Sequence, residues 1–128
     1  MSARPRVLLA EDHPAMAQTL GRLLSVDCDV VAVVGDGAEL VATAASLRPL
    51  VVVADIHLPH VNGLDACREL HRNDPPVPVI LISAAVDETV RDEAQSAGAA
   101  AVVSKAAVDE LVTAIQRVWT VVRAQPYR

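Results

Sequence analysis

The feature that most constrains this chain is a regular alternation of short apolar runs with amphipathic stretches. Each of five runs rich in Val, Leu, Ile and Ala is followed by a segment whose apolar residues have helical spacing. Repeated strand–helix units with short connections favour a parallel sheet with helices on both faces and right-handed crossovers. The pattern therefore predicts a three-layer, doubly wound α/β fold. The predicted strands are residues 6–10, 29–34, 50–54, 79–83 and 100–104, and the predicted helices are 14–25, 37–47, 63–72, 87–97 and 108–122.

Length and composition predict one domain with an aliphatic core. A chain of 128 residues is long enough to bury a core without disulfides or metals. Phe is absent and the large aromatics are Trp119 and Tyr127, so a base-stacking platform for single-stranded nucleic acid is not expected. We expect Trp119, on the last predicted helix, either to lie in the core or to face a partner, and we prefer the core. Cys28 and Cys67 fit no zinc-ligand spacing and are expected to be reduced core residues.

Charge and hydropathy argue against nucleic acid and membranes as direct partners. A net charge of −5 and a pI near 5.2 oppose direct binding to DNA or to an anionic membrane. The chain has no apolar stretch of about 18 residues, and residues 1–6 lack the apolar segment of a signal peptide. We therefore expect a cytoplasmic protein with no membrane and no nucleic-acid contact of its own.

Polar residues follow four of the five predicted strands. Glu11 and Asp12 come after the first strand, Asp55 after the third, Ser83 ends the fourth and Lys105 follows the fifth. Parallel strands point the same way, so their carboxyl ends share one edge of the sheet, where open α/β sheets bind their ligands. We expect these side chains to lie close together.

The residue types at this edge favour phosphoryl chemistry. Clustered carboxylates repel one another unless a cation neutralises them, and Mg²⁺ accepts a few protein oxygens while keeping water and phosphate as its other ligands. Ser83 could donate a hydrogen bond to a phosphoryl oxygen, and Lys105 adds positive charge. The set predicts a phosphoryl group carried on an oxygen of Asp55.

Four segments of the chain strongly resemble a response-regulator receiver domain of two-component signalling: LLAEDHP, ADIHLPHVNGLD, LISA and GAAAVVSK. The resemblance implies the flavodoxin-like form of the doubly wound fold, with five parallel strands in the order 2-1-3-4-5 and five helices. It implies that Asp55 is the phosphoacceptor and that Mg²⁺ is held by Glu11, Asp12, Asp55 and the main-chain carbonyl of His57. It also implies a sensor histidine kinase as phosphoryl donor, and a signalling domain that catalyses only its own phosphorylation and dephosphorylation.

Some residues depart from this pattern or fall outside it. Many receivers carry Tyr or Phe three residues before the lysine, but here that residue is Val102, so a switch based on an aromatic ring is not expected. His13, His60 and His71 form no recognised metal-ligand spacing and are expected to be exposed to solvent. The side chain of His57 is expected either to border the site or to be exposed.

Two other functions remain open from the sequence. An aspartyl-nucleophile hydrolase or phosphatase on a similar sheet would generally need a second aspartate two residues after Asp55, where this chain has His57. A pseudo-receiver would keep the fold without phosphorylation, although all the required side-chain types are present here.

The ending SKAAVDELVTAIQRV is similar to receivers that precede a helix-turn-helix DNA-binding domain, but only the six residues RAQPYR follow the last predicted helix. We therefore expect residues 1–128 to form a single receiver domain with no output domain in this chain. The sequence leaves open whether it acts alone or as part of a longer regulator, and whether it forms a homodimer.

Overall fold

The computed structural model describes residues 4–73 and 75–124 and shows five strands alternating with five helices. The order confirms the predicted alternation, and the predicted boundaries differ from the observed ones by no more than two residues. Tyr127 and the rest of residues 125–128 lie outside the described residues. The strands are β1 (Arg6–Ala10), β2 (Asp29–Val34), β3 (Val51–Asp55), β4 (Val79–Ser83) and β5 (Ala101–Ser104). The helices are α1 (Pro14–Leu24), α2 (Gly37–Leu47), α3 (Gly63–His71), α4 (Glu88–Ser96) and α5 (Val108–Ala124).

All neighbouring strands are parallel, in the order β2-β1-β3-β4-β5, which confirms the predicted topology. All five residues of β3 and of β4 are buried, as expected for central strands with helices on both faces. The order places the ends of β1, β3 and β4 side by side in the middle of one edge.

The core consists of two apolar layers, one on each face of the sheet. Helices α2, α3 and α4 pack on one face around Leu8, Val52 and Leu81. Helices α1 and α5 pack on the other face around Leu9 and Val53. Successive strand residues point to opposite faces, so each central strand supplies both layers. The described core is aliphatic, and Cys28 and Cys67 are free and buried within it, as predicted.

The ends of α1 and α4 carry residues that favour starting, capping or ending a helix. Pro14 occupies the first turn of α1, Asp87 caps α4 by accepting a hydrogen bond from the Val90 N–H, and Gly98 follows α4 with φ +85°.

The preferred core position of Trp119 is wrong, because Trp119 lies outside both core layers and is half-buried. The Arg123 guanidinium carbon lies 4.7 Å from the centre of its ring, so this aromatic face is covered by a cation near the end of α5 instead of by the sheet.

Candidate functional site

The loop between β1 and α1 brings together Glu11, Asp12 and His13. Glu11 is buried because its backbone continues the line of β1 and donates an N–H hydrogen bond to the Val34 carbonyl, 3.0 Å away, whereas Asp12 and His13 are exposed. The backbone N–H of His13 donates to Glu11 Oε2 at 3.1 Å, and His13 Nδ1 lies 3.4 Å from both Glu11 Oε2 and Asp12 Oδ1. Three ligand atoms, one from each side chain, lie within 4.8 Å of one another.

Asp55 ends β3 and is only 3% exposed. Its Oδ1 accepts a hydrogen bond from the His57 backbone N–H at 3.0 Å, which orients the carboxylate toward the edge of the sheet. The start of α3 passes close behind it, since a Cβ on Gly63 would lie 2.1 Å from the Asp55 carbonyl oxygen. The second carboxylate oxygen, Oδ2, faces the lysine on the loop after β5.

Lys105 bridges two buried carboxylates. Its Nζ lies 2.6 Å from Asp55 Oδ2 and 2.6 Å from Glu11 Oε1, and its side chain is 14% exposed. Apart from this ion pair, the fully buried Glu11 Oε1 has no hydrogen-bond partner among the described residues. Burial acts to lower the pKa of Lys105, but hydrogen bonds and negative charges from Asp55 and Glu11 outweigh it and raise the pKa. The ammonium is therefore held in place rather than free at the edge.

Ser83 lies at the end of β4 and is buried. Its hydroxyl donates to the Ala85 carbonyl at 2.9 Å, within its own loop. The Ser83 carbonyl accepts the Lys105 backbone N–H at 2.9 Å, which joins the β4 and β5 ends of the edge. The hydroxyl proton must turn away from the Ala85 carbonyl before it could be donated to a group at Asp55.

The loop that follows Asp55 rests on the start of α2. The Gly37 N–H donates to the Pro59 carbonyl at 3.2 Å, and a Cβ on Gly37 would lie 1.7 Å from the Val61 carbonyl oxygen. His57 and His60 are exposed on this loop, and His60 has φ +68°. The glycine allows the two backbones to approach more closely than any side chain would permit.

The donor set of this edge fits a divalent cation with oxygen ligands. Glu11, Asp12 and Asp55 carry three negative charges and Lys105 one positive charge, so two negative charges remain unbalanced. The carboxylates of the β1–α1 loop converge within reach of a single ion, while Asp55 is turned toward Lys105. Oxygen ligands and excess negative charge are what Mg²⁺ needs from a protein.

The sequence reasoning missed His13 as a member of this cluster. It is exposed, as predicted, with 74% of its side chain accessible, yet its ring faces two carboxylates. The available signal was its position directly after Glu11 and Asp12 and before a proline that begins a helix. The exposure expected for His60 and His71 is confirmed.

A wider groove lies at the other edge of the sheet, away from these carboxylates. It has a volume of about 990 Å³ and is lined by residues just before β3 and β4, including Arg48, Pro49 and Pro78, together with Val122 of α5. The carboxylate cluster and this groove are thus on opposite edges of the sheet. In the part of the chain that the structure describes, no helix is long and apolar enough to cross a membrane.

Five parallel strands in the order 2-1-3-4-5 with five helices form a flavodoxin-like α/β fold, and a buried aspartate, a lysine and an acidic loop meet at one of its edges. The chain belongs to the response regulator receiver domain family, whose pattern matches residues 7–116. It is thus a receiver domain of a two-component response regulator, a signalling domain and not a classical enzyme.

Known proteins similar to this chain are response regulators. Response regulator GacA of Pseudomonas protegens is 34% identical over 118 residues, which cover 89% of this chain and 55% of GacA. DNA-binding response regulator MtrA of Mycolicibacterium smegmatis is 38% identical over 84 residues, which cover 66% of this chain and 36% of MtrA. The chain thus spans about a third to a half of the curated relatives it matches.

Solved receiver structures share the fold. The signal receiver domain of the response regulator NarL from Mycobacterium tuberculosis superposes with a TM-score of 0.81 at 25% identity, covering 97% of this chain and all of that one. A LuxR-family response regulator from Aurantimonas gives a TM-score of 0.85 at 28% identity, covering 91% of this chain and 85% of that one.

Proposed function

We propose that this receiver takes a phosphoryl group from a sensor histidine kinase onto Asp55, in a reaction that depends on Mg²⁺. The observation that carries the proposal is the buried pairing of Asp55 Oδ2 and Glu11 Oε1 with one ammonium, at the edge where Asp12 adds a third carboxylate and negative charge is left unbalanced. Glu11, Asp12, Asp55 and the main-chain carbonyl of His57 would hold the ion. When bound, Mg²⁺ would neutralise charge on the phosphoryl oxygens.

The side chains divide the remaining work of phosphoryl transfer. An Asp55 oxygen attacks phosphorus as the bond from phosphorus to the kinase imidazole breaks, and catalysis rests on alignment and charge. The backbone N–H of His57 holds Asp55 Oδ1, which leaves Oδ2 as the nucleophile once Lys105 moves from it to the phosphoryl oxygens. Ser83 would exchange its bond to the Ala85 carbonyl for one to a phosphoryl oxygen.

The movements of Lys105 and of the Ser83 hydroxyl would also change the surface that a partner or output domain contacts. Moving Lys105 and the Ser83 hydroxyl would draw the loops after β5 and β4 toward Asp55. Val102 is half-buried and packs against the core layer that includes Ala94 and Ala97 at α4, so the response there is a displacement and not a ring rotation. A phosphoryl group brings about −1.5 to −2 charges, enough to bias an element whose two states differ by a few kcal/mol.

The setting of this function is proposed from the family. Residues 1–128 would act as one cytoplasmic receiver domain, either alone or joined to an output domain, with a homodimer as one assembly to test. MtrA is described as DNA-binding, and any DNA contact in this system is assigned to an output domain and not to this acidic chain.

The hydrolase alternative is less well supported. Such an enzyme needs an acid or base two residues after the nucleophile, but at His57 it is the backbone N–H that contacts Asp55, while the residue itself is exposed. A pseudo-receiver differs only in lacking phosphorylation, so the experiment below separates it from the proposal.

The test is the intact mass of the protein after incubation with acetyl phosphate, with and without Mg²⁺. We expect one added phosphoryl group on the wild type with Mg²⁺, none when the ion is chelated, and none on Asp55→Asn. The Asp65→Asn variant is a matched control, because Asp65 is an exposed carboxylate on α3 paired with Arg68. Phosphorylation of Asp55→Asn would refute the acceptor assignment, and an unmodified wild type would favour the pseudo-receiver.

A further inference from the structure

Three consecutive residues at the β1–α1 loop place unlike metal-binding atoms side by side. The cluster consists of Glu11 Oε2, Asp12 Oδ1 and His13 Nδ1, and the phosphoryl-transfer proposal leaves the imidazole without a role. Carboxylate oxygen suits Mg²⁺, whereas imidazole nitrogen suits first-row transition ions. The cluster therefore bears on which ion this edge prefers.

The spacing within the cluster matches ligands that share an ion. Two donors bound at about 2.1 Å, at octahedral or tetrahedral angles, lie about 3.0–3.4 Å apart. His13 Nδ1 lies 3.4 Å from Glu11 Oε2 and 3.4 Å from Asp12 Oδ1. An ion could thus bind the imidazole and a carboxylate together with little movement of the backbone.

The backbone of His13 is fixed by its surroundings. Its N–H is bonded to Glu11 Oε2, its conformation is extended as the cap of α1, and the following Pro14 restricts it further. The imidazole is 74% exposed and so keeps access to solvent. Because the His13 backbone is fixed and its imidazole is exposed, the imidazole can bind an ion that keeps most of its other water ligands.

The two oxygens of Glu11 serve different neighbours. Oε1 faces Lys105, on the side of Asp55, and Oε2 faces His13. The Glu11 side chain has no exposed surface, and its Oε1 lacks a hydrogen-bond partner among the described residues apart from the lysine ion pair. The oxygen beside the imidazole, Oε2, accepts the His13 backbone N–H, while Oε1 is held by the lysine ammonium 2.6 Å away.

We propose that His13 Nδ1 is a nitrogen ligand that makes the Glu11–Asp12–His13 cluster select a first-row transition ion over Mg²⁺. The inference rests on the proposed function to the extent that Glu11 and Asp12 are also its proposed magnesium ligands. The alternative is that His13 only pairs electrostatically with the two carboxylates and never coordinates an ion.

Calorimetric titrations of the unphosphorylated chain with MnCl₂ and with MgCl₂, in the same buffer, test the selectivity. His13→Ala should raise the Kd for Mn²⁺ about tenfold, while the Kd for Mg²⁺ changes less than about twofold. His71→Ala is the matched control, because His71 is an exposed histidine at the far end of α3. It should change neither constant.

Electron spin-echo modulation of the Mn²⁺ complex gives a direct readout of coordination. Nitrogen-14 modulation should be present in the wild type and in His71→Ala and absent in His13→Ala. No nitrogen modulation, or equal losses for both ions in His13→Ala, would overturn the inference. If Mg²⁺ still supports phosphorylation of Asp55 in that case, the proposed function stands, whereas failure of the wild type to bind either ion overturns both.

Discussion

Replacing Gly37 by alanine should destabilise the protein by disturbing the loop that follows Asp55. The Cβ of alanine would lie 1.7 Å from the Val61 carbonyl oxygen, while real Cβ contacts essentially never fall below 3.0 Å. The start of α2 and the loop must therefore separate by at least about 1.3 Å, the difference between these two distances. The hydrogen bond from Gly37 N–H to the Pro59 carbonyl, 3.2 Å long, would be lost or weakened.

The expected magnitude follows from three effects. Overpacking costs about 1–3 kcal/mol, and a lost hydrogen bond costs about 1 kcal/mol. The higher helix propensity of alanine offsets up to about 1 kcal/mol. The net loss of about 1–3 kcal/mol should lower Tm by roughly 3–15 °C for a domain of this size.

Gly21→Ala is the matched control, because it makes the same substitution at a different glycine. Gly21 lies inside α1 and a Cβ there would meet nothing within 4 Å. This variant should gain about 0.5–1 kcal/mol from helix propensity. Thermal and urea unfolding followed by circular dichroism should thus give shifts of opposite sign. If both alanines raised Tm by similar amounts, the close contact between α2 and the acceptor loop would be refuted.

The remaining predictions concern Lys105 and the buried thiols. Lys105→Met leaves Glu11 and Asp55 without their shared ammonium, so we expect the free energy of unfolding to fall by about 3–5 kcal/mol, less any part recovered by rearrangement. Adding Mg²⁺ should then raise Tm more in this variant than in the wild type. An equal Mg²⁺ response in both proteins would contradict this. Since the folded-state pKa of Lys105 is raised, its stabilisation is fully present below the unfolded value of about 10.4 and is lost as pH rises through the folded value. In urea titrations, the wild-type advantage over Lys105→Met should therefore be constant from neutral pH to about pH 9 and shrink above about pH 10.4, and a flat profile would count against the pairing. Burial raises the pKa of the Cys67 thiol to about 11 and also raises that of Cys28, so neither should react with a disulfide reagent at pH 8 until the protein is unfolded; rapid reaction of the native protein would show that the core opens.

The sequence by itself determined the fold class and which polar residues meet at one edge of the sheet. Runs without polar alternation predicted central strands, and β3 and β4 are buried at every residue. The parallel direction of the strands then placed Asp55 and Ser83 at the same edge as the acidic loop after β1. These inferences succeeded because burial on both faces and strand direction are set by local periodicity and connection length.

Only the tertiary structure decided how those groups pair. Lys105 and Asp55 are 50 residues apart in sequence, and nothing in either segment shows that the ammonium would lie 2.6 Å from both Asp55 and Glu11. The orientation of His13 toward two carboxylates depends on the hydrogen bond to its backbone and on the start of α1. Trp119 has a helical position compatible with a core residue, yet it lies beside Arg123 outside both layers. Side-chain directions and loop contacts of this kind depend on packing between segments distant in sequence, and hydrophobic periodicity carries no information about them.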